Sequence, residues 1–143
     1  MNRMRNLIFL FLAMAVSACC AQKQAVNPKE VPSSPNFSNG ILKDGTLYVS
    51  GQVGRGPGGK RPEAFEDEVK AALDSIGAVL KEAGMGFENA VAVQVYLTDM
   101  DLFSKMNSVY VTVFPEPRPA RTTVGVARLV GNFRIEITVT AKK

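Results

Sequence analysis

None of the 143 residues is histidine or tryptophan, and the two cysteines, Cys19 and Cys20, stand side by side near the N-terminus. These absences exclude whole classes of chemistry. Without histidine there is no Ser-His-Asp or Cys-His catalysis, no HExxH metal site and no His-ligated zinc. Without a thiol beyond Cys20, the body of the chain has neither nucleophilic cysteine chemistry nor a disulfide. Net charge is also sparse. Arg3 and Arg5 lie in a segment read below as removed, and without them 15 basic residues face 13 acidic ones, a balance of +2. The Lys and Arg residues form no dense run with interleaved aromatics, so the basic pI does not imply nucleic acid as a partner. The length suits about one domain.

A long hydrophobic run is missing as well. The only candidate, Leu7 to Val16, is ten residues, where a spanning helix needs about twenty. Behind Arg3 and Arg5 it has the form of an export signal over residues 1–18. Val16-Ser-Ala-Cys19 resembles the bacterial lipoprotein processing site, which implies a diacylated Cys19 and a membrane anchor that does not span. Cleavage after Ala18 to give a soluble periplasmic product is the alternative. Residues 19–36, rich in Gln, Lys, Asn, Pro and Ser, read as the lipidated N-terminus and a flexible tether. The domain then occupies residues 37–143.

Within that domain the patterning alternates between strand and helix. Phe37 to Leu42 and Thr46 to Gln52 read as strands around Asp44-Gly45, a strong hairpin signal. Phe65, Val69, Ala72, Leu73, Ile76, Val79, Leu80 and Ala83 recur at three- and four-residue steps and predict a helix stopped by Gly84. Val91 to Leu97 is apolar nearly throughout and reads as a central strand. Leu102, Phe103, Met106, Val109, Tyr110 and Val113 predict a second helix ended by Pro115. Thr122 to Leu129 and Phe133 to Ala141 complete the set as a hairpin turning at Gly131-Asn132. The order ββαβαββ implies an α+β fold: one mixed sheet with two helices on one face. Val49, Val93, Val95, Val124 and Val126 are assigned to the other face, whose apolar character calls for cover by an oligomer.

Two features carry candidate chemistry. Arg121 follows a proline-rich corner at the mouth of an apolar strand, and Glu136 sits in a strand otherwise built of Ile, Thr and Val. A carboxylate inside a strand is costly to desolvate unless it is paired. The pair reads either as an anion anchor and a proton carrier in one site or as a solvated surface ion pair. Counted about Gly131-Asn132, Arg121 falls near Lys142 and Glu136 near Val126 or Ala127. The two need not face each other, and a cleft at a subunit boundary accounts for both better than a salt bridge. Gly54 to Lys60 satisfies GxxxxGK, but Arg61-Pro62 follows instead of Ser or Thr, and Pro57 removes an amide donor. It is a connection, not a nucleotide site. Ser50-Gly51 ends an apolar strand, where glycine permits a close approach or closes a bulge. Asn107 falls off its helical stripe.

In order, Phe37-Ser-Asn-Gly40, Leu47-Tyr-Val-Ser-Gly-Gln52, Ala72-Leu-Asp74, Val95-Tyr-Leu-Thr-Asp99, Met106-Asn-Ser-Val-Tyr110, Pro119-Ala-Arg-Thr-Thr123, Val126-Ala-Arg-Leu129 and Ile135-Glu-Ile137 resemble the RidA (YjgF, L-PSP endoribonuclease-like) family of imine/enamine deaminases. The resemblance spans residues of about 35 to 141. It implies a chorismate-mutase-like fold assembled as a homotrimer, with ligand clefts between adjacent subunits. It implies that Arg121 grips a substrate carboxylate and that Glu136 activates the attacking water. Phe37, Ser50, Gly51, Asn107 and Thr123 would line the cleft. The reaction would convert 2-imino or 2-enamino acids to 2-oxo acids and ammonia without metal or cofactor. Active members commonly carry Tyr at the position of Phe37 and Cys at that of Thr123. Phe keeps the aromatic wall without the hydroxyl, and Thr keeps a hydrogen-bonding group without the thiol. The rival readings are a carboxylate-binding or interaction module with no turnover and, more weakly, a ribonuclease.

Overall fold

The structure, a computed structural model, describes residues 22–143. The export signal and Cys19 lie outside the described residues. In chain order the elements are β1 (Gln24–Val26), β2 (Gly40–Lys43), β3 (Thr46–Val53), α1 (Phe65–Glu82), β4 (Ala90–Leu97), α2 (Phe103–Val113), β5 (Ala120–Gly125) and β6 (Ile135–Lys142). They form one mixed six-stranded sheet in the order β1-β2-β3-β6-β4-β5. The α+β architecture with two helices thus follows the patterning, with one strand more than expected.

That strand corrects the tether. Gln24–Val26 pairs antiparallel with β2, from Gln24 opposite Leu42 to Val26 opposite Gly40. Val26 and Val31 are buried in the core, and the Asn39 N–H donates to Asn27 Oδ1 at 2.8 Å. Two isolated valines in a polar stretch give no periodic signal, yet they close one edge of the core. The ordered fold therefore begins well before Phe37.

The β2–β3 turn is as expected. Asp44 and Gly45 both adopt positive φ, 51° and 73°, the geometry a two-residue hairpin matched to strand twist demands. The expected final hairpin is not formed. Instead β5 lies parallel to β4, with Val93 opposite Arg121 and Leu97 opposite Gly125. β6 inserts between β3 and β4, antiparallel to both. The reason is the β4–α2–β5 crossover, which returns the chain parallel to β4. β5 ends at Gly125, just where its partner β4 ends at Leu97, so the strand expected to reach Leu129 has nothing to pair with.

The core lies between the sheet and the two helices. Leu47 and Val49 of β3, Val93, Val95 and Leu97 of β4, and Ile135, Ile137 and Val139 of β6 face the α1 stripe and Met106, Tyr110 and Phe114. Val49, Val93 and Val95 thus point toward the helices, not to the opposite face as expected. The open face is mixed in character. It presents Tyr48 (56% exposed), Val124 (40% exposed), Tyr96, Gln94, Thr138, Thr140 and Glu136, as the β4–β6 register requires. Alternation alone cannot say which set of side chains meets the helices.

Candidate functional site

Glu136 projects from the open face between Val53 of β3 and Tyr96 of β4. The β3–β6 register shifts between Val49 and Gln52, so Ser50 and Gly51 occupy an irregularity beside Glu136. The Ser50 N–H donates to Asn39 O at 2.9 Å, and its hydroxyl donates to Ser38 O at 2.7 Å. Ser50 is therefore a clamp on the Phe37–Asn39 segment. Gly51 has a stricter role. A Cβ built there would fall on Glu136 Oε1, so any larger residue would push this carboxylate out of its present position. A cleft of about 210 Å³ is lined by Glu136, Gly51, Val53, Phe37, Arg55 and Val130. Phe37 forms an aromatic wall that is 54% exposed.

A buried ion pair fixes the strand that carries Glu136. Glu68 of α1 is 0% exposed. Its Oε1 accepts the Arg134 N–H at 2.6 Å and its Oε2 accepts the Arg134 Nε–H at 2.7 Å. Arg134 also donates to Pro62 O and Glu63 O and lies 5.3 Å from the Phe65 ring. Burying a carboxylate is tolerable only when both oxygens are satisfied in this way. Arg61 donates to Asn132 O and Arg55 rests over Phe133 at 5.2 Å. Three arginines thus strap the β3–α1 loop to the segment entering β6. None of these contacts was legible in the sequence, where Glu68 looks like one more charge on a solvated helix face.

Arg121 and Thr123 project from the other face. They pair with Val93 and Val95, both buried against the helices, so their side chains turn toward α2. The Arg121 guanidinium lies 4.5 Å from the Tyr110 ring and 5.6 Å from the Phe103 ring, and reaches Met106 Sδ at 3.9 Å. Among the described ion pairs, Arg118 pairs with Glu116 and no acid pairs with Arg121. A groove of about 460 Å³ runs past Arg121, Asn107, Tyr110, Val111, Arg118 and Pro119. The Tyr110 hydroxyl and Thr123 Oγ1 are buried without hydrogen-bond partners. Burial raises the Tyr110 pKa, opposed by the positive charges of Arg121 and Arg118. Tyr110, read as core from its spacing, is buried and also walls this groove.

The expected site residues therefore fall into two groups. Phe37, Ser50, Gly51 and Glu136 gather on the open face, while Arg121, Asn107 and Thr123 gather on the helix side near the β5 edge. One chain brings neither group to the other. Among the described residues, no cluster of three or more Cys, Asp or Glu is placed to hold a metal ion.

A family profile described as Endoribonuclease L-PSP matches residues 28–143. The chain belongs to this family. Its similarity to an Aquifex aeolicus RutC family protein is 39% identity over 116 residues, 79% of this chain and 92% of the relative. A Rattus norvegicus protein named 2-iminobutanoate/2-iminopropanoate deaminase is 36% identical over 118 residues, 80% of this chain and 86% of the relative. The fold superposes on RidA from the Antarctic bacterium Psychrobacter sp. with a TM-score of 0.80 at 30% identity, over 84% of this chain and 99% of that one. The family match begins at residue 28, which agrees with an ordered fold that starts ahead of Phe37.

Proposed function

We propose that the protein hydrolyses small 2-imino and 2-enamino acids to 2-oxo acids and ammonia, in sites formed where copies of the chain meet as a trimer. One observation carries this reading. Glu136 stands at an open cleft beside Gly51, while Arg121, which has no acid partner among the described residues, lies on the opposite sheet face. A second copy, placing its Arg121 groove against the first copy's Glu136 cleft, would complete one site and cover Phe37. The names of relatives, including the rat deaminase, support the same chemistry.

Arg121 holds the substrate carboxylate through paired N–H donors. Glu136 takes a proton from water as the water oxygen bonds to the imine carbon, and passes that proton to nitrogen. The carbinolamine then loses its hydroxyl proton to Glu136, which hands it to the amine. The C–N bond breaks, ammonia leaves and C=O forms. Water supplies the oxygen and both transferred protons, and Glu136 ends ionised as it began.

The test follows the decay of 2-iminopropionate generated in situ. Decay should accelerate with the wild type, and not with Arg121→Ala. Equal decay with and without protein sinks the reading, and retained 2-oxobutyrate binding would then favour a carboxylate-binding module. The anchor is a proposal from the sequence of residues 1–19: lipidated Cys19 would hold the protein in the cell envelope facing the periplasm. Cys19→Ala should move it to the soluble periplasmic fraction, and unchanged membrane association refutes lipidation.

A further inference from the structure

Beside the Glu136 cleft lies a second cleft of about 240 Å³ that shares Phe37, Gly51, Val53 and Arg55 with it and is also lined by Ser33 and Ser34. The two spaces therefore adjoin along these four residues. Ser33 and Ser34 come from the segment that the sequence presents as tether, held in place by buried Val31.

Arg55 is the charge common to both parts. No carboxylate pairs with it among the described ion pairs, and its side chain is exposed. Phe133 supports its guanidinium at 5.2 Å, and its own N–H closes a tight turn on Val53 O at 2.9 Å. The loop that carries it is strapped by Arg61 to Asn132 O and by Arg134 to Pro62 O and Glu63 O. Also lining the second cleft, Ser34 Oγ accepts the Asn36 N–H at 3.1 Å, which leaves its own O–H to donate. An unpaired arginine resting on an aromatic ring and a hydroxyl donor, both lining a space of several water volumes (~30 Å³ each), suit an anionic arm of two or three carbons. An apolar arm would gain nothing from either group, whereas a carboxylate would gain charge-assisted hydrogen bonds.

We propose that Arg55 selects substrates with a second carboxylate, so that the preferred class is the 2-imino dicarboxylic acids of four or five carbons. The inference rests on the hydrolytic reading above. With the α-carboxylate on Arg121 of a neighbouring copy and the imine carbon at Glu136, the side chain passes Phe37 and ends at Arg55.

The experiment compares 2-iminoglutarate with 2-iminopropionate, each generated in situ by an amino acid oxidase with catalase. In the wild type, kcat/KM should favour the dicarboxylate. Arg55→Gln should lower that preference about 10- to 100-fold, the effect of one charged hydrogen-bonding partner, and Arg55→Glu should reverse it. An unchanged preference in both variants overturns the inference, even if 2-iminopropionate is hydrolysed well. If the wild type hydrolyses neither substrate, the hydrolytic reading fails by itself. Calorimetric Kd values for 2-oxoglutarate and 2-oxobutyrate then decide the inference: tighter 2-oxoglutarate binding lost in Arg55→Gln supports it, and equal Kd values overturn it.

Discussion

Glu136 and Arg121 are held by different parts of the molecule. Glu136 projects from β6, which has a strand on each side, and its approach is fixed by the buried Glu68–Arg134 pair and the bare backbone of Gly51. Arg121 projects from β5, the terminal strand, and rests on the aromatic and thioether side chains of α2. The first arrangement anchors the start of β6 by hydrogen bonds, as suits the proposed role of Glu136 in exchanging protons. The second leaves the guanidinium fork without an acid partner among the described residues, as suits its proposed role of meeting an incoming anion. An enclosed strand takes its backbone partners from its own fold, while an edge strand still has one side open to another chain.

The largest expected effect tests whether the two regions work across copies. Arg121→Ala and Glu136→Gln proteins should each be nearly inactive on 2-iminopropionate. Unfolded and refolded together in equal amounts, they should regain roughly a quarter of wild-type activity, because a mixed cyclic trimer contains one boundary with both residues intact. No recovery in verified mixed trimers would place both residues in one copy's site.

Next in size is the loss of the proposed base. Glu136→Gln keeps the shape and removes the proton acceptor, so kcat should fall about 10²- to 10⁴-fold with KM little changed. A matching rise in KM would mark Glu136 as a binding group instead. Arg121→Lys keeps the charge without the planar fork, and should raise KM about 10-fold, one lost charged hydrogen bond.

The supports of Glu136 are read by stability. Glu68→Ala strands Arg134 and should destabilise the fold by about 2–4 kcal/mol, reduced from the ~3–5 kcal/mol usual for breaking a buried pair because Arg134 partly reaches solvent. The exposed Lys70–Asp74 pair on the same helix gives the contrast, with Lys70→Ala expected to change stability by no more than about 0.5 kcal/mol. Equal losses in denaturant titrations would show that the buried strap stabilises the fold no more than the surface pair does.

The smallest effect lies in the Arg121 groove. Burial raises the Tyr110 pKa above its ordinary value of 10.0, so the folded state holds the phenol proton more tightly than the unfolded chain. That contribution to stability is fully present below pH 10 and is lost as pH rises through the folded value. Tyr110→Phe should therefore flatten the alkaline fall in Tm. Since its hydroxyl has no partner, the substitution should leave Tm at neutral pH unchanged or slightly raised.

Much of this was legible in the residues alone, for identifiable reasons. The α1 stripe, the Asp44-Gly45 turn and the apolar run of β4 are local signals, each set by a period or a backbone conformation that one segment imposes on itself. The ordered motifs from Phe37 to Ile137 named the family, and Arg121 and Glu136 stood out as charges where strands rarely carry them. Register, pairing and face are not local. The position of β6 between β3 and β4, the parallel docking of β5, the strand at Gln24–Val26 and the turn of Val49, Val93 and Val95 toward the helices depend on which distant segments share a core. The same holds for Glu68 with Arg134, and for Arg55 in the cleft beside Phe37. A sequence can show that a charge is unusual, but only packing decides which space it faces and what it is left free to bind.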